Sequence, residues 1–305
     1  MSKSWFTWPT FVAITEIYIA PLNVIWFILG TAAAQYLYGT INLVNVILCL
    51  LDVFIFDLAV NVSDNYFDYK HAHDREYYTK KVNVIGKLNL PLSGVRKLMI
   101  ALYVISAIPG FFLFLRTGWP VLIFGAIGYF IGIFYTAGKF PINATPLAET
   151  TVALSISYLI QLTCVYVCLY GQHPFTWQVA GEVFLVALPQ TLIFFGVQLA
   201  NNIADLKEDI ANHRYTLPYF TGANNAIIIM KVVNVVGALW PLANVALGFA
   251  PWPVLFSSLI LIPMWRGLKP FFALPDKQKT YMGVIKSTTL FFIGYTLLFT
   301  IGSII

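Results

Sequence analysis

Nine apolar stretches dominate the chain, at about residues 11–37, 42–62, 97–115, 119–136, 147–171, 177–200, 223–247, 252–267 and 286–304. Each is close to the roughly 20 residues a helix needs to cross the hydrocarbon core of a bilayer. Of the 305 residues, 59% are hydrophobic and 10% charged, with a mean hydropathy of +0.78; an ordinary globular domain is about a quarter charged. The expected fold class is therefore an all-α, multi-pass membrane protein of nine transmembrane helices, with the lipid bilayer as its solvent. The eighth stretch is crowded by Pro251, Pro253 and Pro263. The N-terminus shows no charged region followed by a short apolar core and a cleavage site, so the first span is expected to be retained. Cys49, Cys164 and Cys168 all fall in apolar stretches, where small polarizable packing residues are expected rather than redox chemistry.

Lys and Arg between the stretches set the expected orientation. Lys70, Arg75, Lys80, Lys81, Lys87, Arg96 and Lys97 lie between the second and third, and Lys139 between the fourth and fifth. Lys207 and Arg214 lie between the sixth and seventh, Lys231 just inside the seventh, and Arg266, Lys269, Lys277, Lys279 and Lys286 around the eight-to-nine loop. Lys3 precedes the first stretch, and Arg116 falls on the opposite side. This predicts a cytoplasmic N-terminus and an outward C-terminus in a plasma membrane.

Within this apolar chain one polar pattern occurs twice. Asn61, Asp64 and Asp68 repeat as Asn202, Asp205 and Asp209, with a polar residue four positions earlier, Asp57 and Gln198. On a helix, steps of four, three and four hold each set of side chains within roughly 60° of one another. The stripes begin where the second and sixth stretches end, four spans apart, so the repeat is expected to be parallel within one domain (residues 1–305, motifs at 57–74 and 198–218). Both stripes then open on the cytoplasmic side, followed by the two longest cytoplasmic loops, which are expected to cap the site.

Asp64, Asp68, Asp205 and Asp209, with Asn61 and Asn202, cannot all stay ionised side by side without cations. Hard oxygen donors in this number suit Mg2+, which keeps waters and takes further ligands from substrate phosphates. Lys87, Lys139 or Arg214 would pair the charge of a metal-bound pyrophosphate. An interior rich in aromatics, with 25 Phe, 17 Tyr and 8 Trp, would take a long hydrocarbon tail, so the composite reads as a site for an isoprenoid pyrophosphate. Single Asp or Asn residues at span ends are common solvated caps; two matched copies on one membrane side argue against that reading here. Asp57 and Asp52 lie deeper, where a lone acid is costly. Asp57 is on the stripe, in a supporting position; Asp52 is off it. Glu149 could line an acceptor pocket, Glu16 is as well read as a structural hydrogen-bonding partner, and His71 and His73 read as loop surface rather than ligands. Nothing points to nucleic acid.

Four stretches carry a resemblance: Asn65-Tyr66-Phe67-Asp68-Tyr69-Lys70 with Asp74 following, Ile85-Gly86-Lys87, Tyr135-Thr136 through Phe140-Pro141 to Glu149, and Asn201-Asn202-Ile203-Ala204-Asp205-Leu206-Lys207-Glu208-Asp209 leading to Thr216-Leu217-Pro218 and Gly222. In their order and spacing the chain resembles the UbiA superfamily of intramembrane prenyltransferases, and within it the 1,4-dihydroxy-2-naphthoate prenyltransferases of menaquinone biosynthesis. The resemblance implies nine helices around a central cavity, with cap loops. It implies that Asp68, Asp205 and Asp209 bind metal and serve catalysis, that Lys87 and Lys139 contact the pyrophosphate, and that Tyr135 lies near the reacting end of the substrate. Asp57, Asn65, Asp74, Gln198 and Glu149 then fall in the supporting shell or acceptor pocket. The chain departs from the family at Asp64-Asn65, an exchange of the usual Asn-Asp, and at Glu16-Ile17-Tyr18-Ile19-Ala20-Pro21. The implied reaction ionises a polyprenyl pyrophosphate beside aromatic faces such as Tyr66, Phe67 or Tyr135. Transfer to dihydroxynaphthoate, with loss of carbon dioxide, gives demethylmenaquinone. A prenyltransferase for another acceptor, a terpene cyclase on the same scaffold and a non-enzymatic isoprenoid carrier are the alternatives.

Overall fold

The computed structural model describes residues 5–18, 22–74 and 76–305; Lys3, Arg75 and the Ile19-Ala20-Pro21 part of the opening motif lie outside them. Among the described residues all regular structure is helical. The first apolar stretch does not form one helix. Thr7 caps a short helix α1 (Trp8–Thr15) by accepting the Thr10 N–H at 3.4 Å, and the helix stops at Glu16, whose φ of 49° is left-handed. Such a residue turns the chain out of the helix, and α2 (Leu22–Tyr38) starts afresh.

The chain continues through α3 (Leu43–His71), a π-helical turn (Tyr78–Val82), α4 (Val84–Lys87), α5 (Leu92–Thr117) and α6 (Pro120–Phe134). Next come α7 (Ala148–Leu169), α8 (Trp177–Ala204), α9 (Leu206–Ala211), α10 (Leu217–Thr221) and α11 (Ala223–Ala246). A 3-10 segment (Trp252–Ile260) leads into α12 (Leu261–Ala273), and α13 (Tyr281–Gly302) closes the bundle. Six of these, α3, α5, α7, α8, α11 and α13, are long and apolar enough to cross a membrane. The first, fourth and eighth expected spans are shorter: α2 has 17 residues, α6 has 15, and the eighth begins in tight 3-10 turns that follow Pro251 and include Pro253. A row on α5 (Ile100, Val104, Ile108, Phe111 and Leu115) stays exposed, as a lipid-facing side requires.

Several buried polar side chains are paired across helices, because hydrocarbon offers them no water. Gln161 on α7 donates to Gln190 on α8 at 3.0 Å, and Gln190 donates to Thr296 on α13 at 3.0 Å. Asn45 on α3 donates to the Val167 carbonyl at 3.0 Å and accepts from Arg116 at 2.7 Å, which fixes that arginine at the end of the bundle opposite the motif loops.

Two features position the site. Helix α3 has 29 residues, about 43 Å at 1.5 Å per residue, so its last turns extend past a hydrocarbon core of about 30 Å. The whole first stripe is therefore helical. The second is not: α8 ends at Ala204, Asp205 takes φ −94° and ψ 2°, and α9 begins at Leu206. Asn201, Asn202 and Asp205 are weak helix formers whose side chains compete for backbone groups. The break aims Asp205 and Asp209 at different partners.

Helices α8 and α11 approach through glycine. A Cβ on Gly237 would meet Ile193 Cγ1 at 2.9 Å and the Pro189 carbonyl at 3.0 Å, a close approach that small residues permit in membrane bundles. Gly237→Val is expected to cost about 1–3 kcal/mol by overpacking. It should appear as a lower thermal midpoint in detergent, while Gly125→Ala, whose Cβ has nothing within 4 Å, should leave the midpoint unchanged.

Candidate active site

Two cavities adjoin at the ends of α3 and α8. The deeper, about 350 Å³, is walled by α3, α6 and α7 and carries Asp52, Asp57, Asn61 and Asp64 along one side, with Tyr129, Tyr135 and Gln198 facing in. Its far end is apolar, at Cys49, Leu113, Val121 and Phe124. Part of its wall is the π-helical stretch Leu154–Leu159 of α7, which brings Ser155, Ile156 and Leu159 to the lining. The upper chamber, about 670 Å³, is lined by Asp68, Tyr78, Thr136, Lys139, Asn143, Asp209 and Arg214 among others. Asp64 lines the lower cavity and Thr136 the upper, and the Thr136 hydroxyl donates to Asp64 Oδ1 at 2.9 Å, so this hydrogen bond marks their junction.

Arg214 is the centre of the chamber. Its Nη1 lies 3.9 Å from Asp68 Oδ2 and its Nε 3.5 Å from Asp209 Oδ1, so one guanidinium links the two motifs. Asp68 also accepts from Tyr78 and Asn143, each at 3.4 Å. Burial pushes the Asp209 carboxyl up to about 6, against the opposing pull of Arg214. Burial works against charge on Arg214, but Asp68 and Asp209 outweigh it and hold the guanidinium above its ordinary value.

Three loops hold this arrangement. The Asn212 side chain accepts the backbone N–H groups of His73 at 3.1 Å and Asp74 at 3.2 Å, and His73 stacks on His213 with ring centroids 4.0 Å apart. The N–H of Tyr215 donates to the Ala144 carbonyl at 3.1 Å. Tyr78 comes from the π-helical turn, against which Gly86 packs so closely that a Cβ would run into the Thr79 carbonyl.

The other candidates fall as follows. Asn61 donates to the Thr15 carbonyl at 3.0 Å, and Asn65 donates to the Asn61 carbonyl at 3.0 Å, on the side of α1. Asp74 accepts the Tyr77 N–H at 2.9 Å and shapes its own turn. Asn202 is buried and donates to Glu149 Oε1 at 2.9 Å. Asp205 lines neither cavity; it is ion-paired to Lys277, which also donates to Asn201. Lys139 reaches the upper chamber, whereas Lys87 is exposed at the end of α4 and lines neither. Tyr66 and Phe67 pack against each other with the α1 and α5 side, outside both cavities; Tyr135 lines the lower one.

Sequence reading missed several residues. Asp52 shares the cavity wall despite lying off the stripe, and its Oδ1 is buried with no protein partner. His71 and His73, read as loop surface, are exposed and border the upper chamber, together with His213, which was not singled out. Thr136 and Asn143 join from the Tyr135–Glu149 stretch, and Asn23 from α2, which carries no motif. Among the described residues no three His, Cys, Asp or Glu side chains converge to cage an ion by themselves. Asp209 Oδ2 is nonetheless buried without a protein partner, and Asp68 is held only by long contacts. Such hard donors on one chamber fit a Mg2+ ion that keeps waters and takes other ligands from a substrate phosphate.

Arg214→Met is expected to leave Asp68 and Asp209 uncompensated and to lower stability by about 1–3 kcal/mol, read from thermal unfolding in detergent. Arg214→Lys should recover only part of this, because one ammonium cannot reproduce contacts made by two guanidinium nitrogens.

A chain with this architecture has known relatives. The family model described as the UbiA prenyltransferase family matches residues 7–293. The chain is 24% identical over 237 residues to the 1,4-dihydroxy-2-naphthoate octaprenyltransferase of Bacillus subtilis, covering 77% of this chain and 73% of that one. Its fold is similar to a solved structure of digeranylgeranylglyceryl phosphate synthase, with a TM-score of 0.67, 17% identity, and 97% and 98% of the two chains covered. It is also similar to a UbiA homologue from Archaeoglobus fulgidus bound to GPP and Mg2+, with a TM-score of 0.58, 11% identity, and 95% and 99% covered. With nearly its whole length matched and its two aspartate motifs meeting at one chamber above an apolar-ended cavity, the chain belongs to the UbiA prenyltransferase family and is a multi-pass membrane enzyme.

Proposed function

We propose that this enzyme transfers a polyprenyl group from its diphosphate to 1,4-dihydroxy-2-naphthoate, with Mg2+, on the cytoplasmic side of the plasma membrane. The N-terminus is on that side and the C-terminus outside, as the Lys and Arg distribution argues. The observation that carries the reading is Arg214 between Asp68 and Asp209, beside a cavity that runs to an apolar end. A diphosphate head fits the charged chamber and a prenyl tail fits the apolar end. The likeness to the Bacillus subtilis enzyme supports the naphthoate acceptor, and the Archaeoglobus fulgidus homologue bound to GPP and Mg2+ supports the donor and the ion.

In this reading Asp68, Asp209 and, once freed of Lys277, Asp205 hold the ion, with Asp64, Asn61 and Asn202 near it. Bound Mg2+ supplies charge stabilisation to the departing diphosphate. Arg214 and Lys139 bind the same oxygens, and Lys87 joins only if its loop closes inward. The allylic carbon–oxygen bond breaks with its electron pair going to diphosphate, an ionisation favoured by preorganised charge. Tyr135 offers a π face to the resulting cation, and the cavity wall excludes water from it. The ring carbon bearing the carboxylate attacks the cation's terminal carbon. Loss of carbon dioxide returns its bonding pair to the ring, giving the quinol of demethylmenaquinone. Asp57 and Gln198, facing the same cavity, and Glu149, behind Asn202, position the acceptor end; Asn65 and Asp74 hold the surrounding backbone.

The likeness to digeranylgeranylglyceryl phosphate synthase favours a second reading, a glycerol-phosphate lipid acceptor on the same donor chemistry. Purified enzyme with a labelled polyprenyl diphosphate and Mg2+ decides between them. A decarboxylated prenyl naphthoquinol formed only with dihydroxynaphthoate is the expected product, and Asp68→Asn or Asp209→Asn should reduce it by about 10²-fold or more. A prenyl ether formed only with a glycerol-phosphate lipid would replace the first reading with the second.

A further inference from the structure

The loop between α12 and α13 delivers a cation to the second motif. Asp276 Oδ1 accepts the N–H groups of Gln278 at 2.9 Å and Lys279 at 2.8 Å, and the Thr280 hydroxyl donates to the Leu274 carbonyl at 2.7 Å. This turn, fixed by its own hydrogen bonds, carries Lys277. The Lys277 ammonium pairs with Asp205 Oδ2, donates to Asn201 Oδ1 and lies 4.8 Å from the centroid of the Tyr281 ring. The contacts continue inward: Asn201 donates to Asn202 at 3.4 Å, and Asn202 to Glu149 at 2.9 Å. Three polar residues of the second motif are thus tied, directly or through one another, to a lysine more than 70 positions away.

The charge balance explains why a cation sits there. Asp205, Glu208 and Asp209 fall within five residues of one another and would repel. Arg214 serves Asp209 and Asp68, and Lys277 serves Asp205. In the first motif Asp68 shares Arg214 with Asp209, and Asp64 accepts from the neutral Thr136 hydroxyl.

We infer that Lys277 is a built-in counter-ion of the second motif, which occupies Asp205 in the metal-free enzyme and competes with a divalent cation for that carboxylate. The inference rests on the metal-binding reading proposed above. Its consequence is selective: the lysine raises the threshold for a bare ion, so an ion arriving with diphosphate oxygens as additional ligands is favoured over one arriving alone. Lys277 is a positioning residue, acting through Asp205 rather than on the reacting atoms.

The test uses Mn2+ as probe, titrated into the full-length protein in detergent without donor and followed by electron paramagnetic resonance. An exposed ion pair contributes up to about 1 kcal/mol, so Lys277→Gln should bind Mn2+ about three- to fivefold more tightly than wild type, with Lys277→Arg close to wild type. The metal-free Lys277→Gln protein should also have a lower thermal midpoint and gain more from Mn2+. Unchanged or weaker Mn2+ binding by Lys277→Gln, with wild type binding normally, would overturn the inference and leave the metal site standing. No Mn2+ binding by either protein would overturn both.

Discussion

Two carboxylates from opposite halves of the chain, Asp68 at the end of α3 and Asp209 on α9, approach each other at the edge of an apolar bundle, and Arg214 lies between them. Both carboxylates draw on this one cation. A guanidinium reaches both because its nitrogens are spread across a rigid plane. The geometry around it is costly to build. His213, the residue before Arg214, adopts a left-handed φ of 60°, and three separate loops are tied through Asn212, the His73–His213 stack and the Tyr215–Ala144 bond. Segments that contribute nothing to the hydrocarbon-facing surface are thereby held at one point.

The membrane dictates where such a point can lie. A group of acids at mid-bilayer would cost several kcal/mol each; beyond the hydrocarbon core, water and counter-ions relieve them. The length of α3 solves the placement, with Asp52, Asp57, Asn61 and Asp64 facing the lower cavity and Asp68 the upper chamber. A ligand with an ionic head and a hydrocarbon tail matches that gradient, and so does a reaction that separates charge at the boundary between them.

The fold was legible to the extent that one helical period governs it. The first stripe could be read on a single helix because residues 57–71 contain neither glycine nor proline and α3 continues unbroken. The second stripe could not, since the break at Asp205 aims that carboxylate at Lys277, in a loop 72 residues further on. Arg214 was visible as a basic residue near the motif, but its bridging position depends on Asn212 and on loops remote in sequence. The division of the first span at Glu16 and the 3-10 opening of the eighth come from local backbone geometry that hydropathy does not encode. Asp52 was set apart by helical phase alone, yet the cavity is wide enough to include more than one face of α3.

The central claim is that the two motifs act on a single ligand. A double-mutant cycle of Asp68→Asn and Asp209→Asn on the binding of an unreactive allylic thiodiphosphate with Mg2+ tests it most directly. If one bound diphosphate spans both carboxylates, the losses should fail to add, with a coupling of about 1 kcal/mol or more. Additivity within about 0.3–0.5 kcal/mol would mean that the motifs serve separate sites, and the account of the chamber would be contradicted.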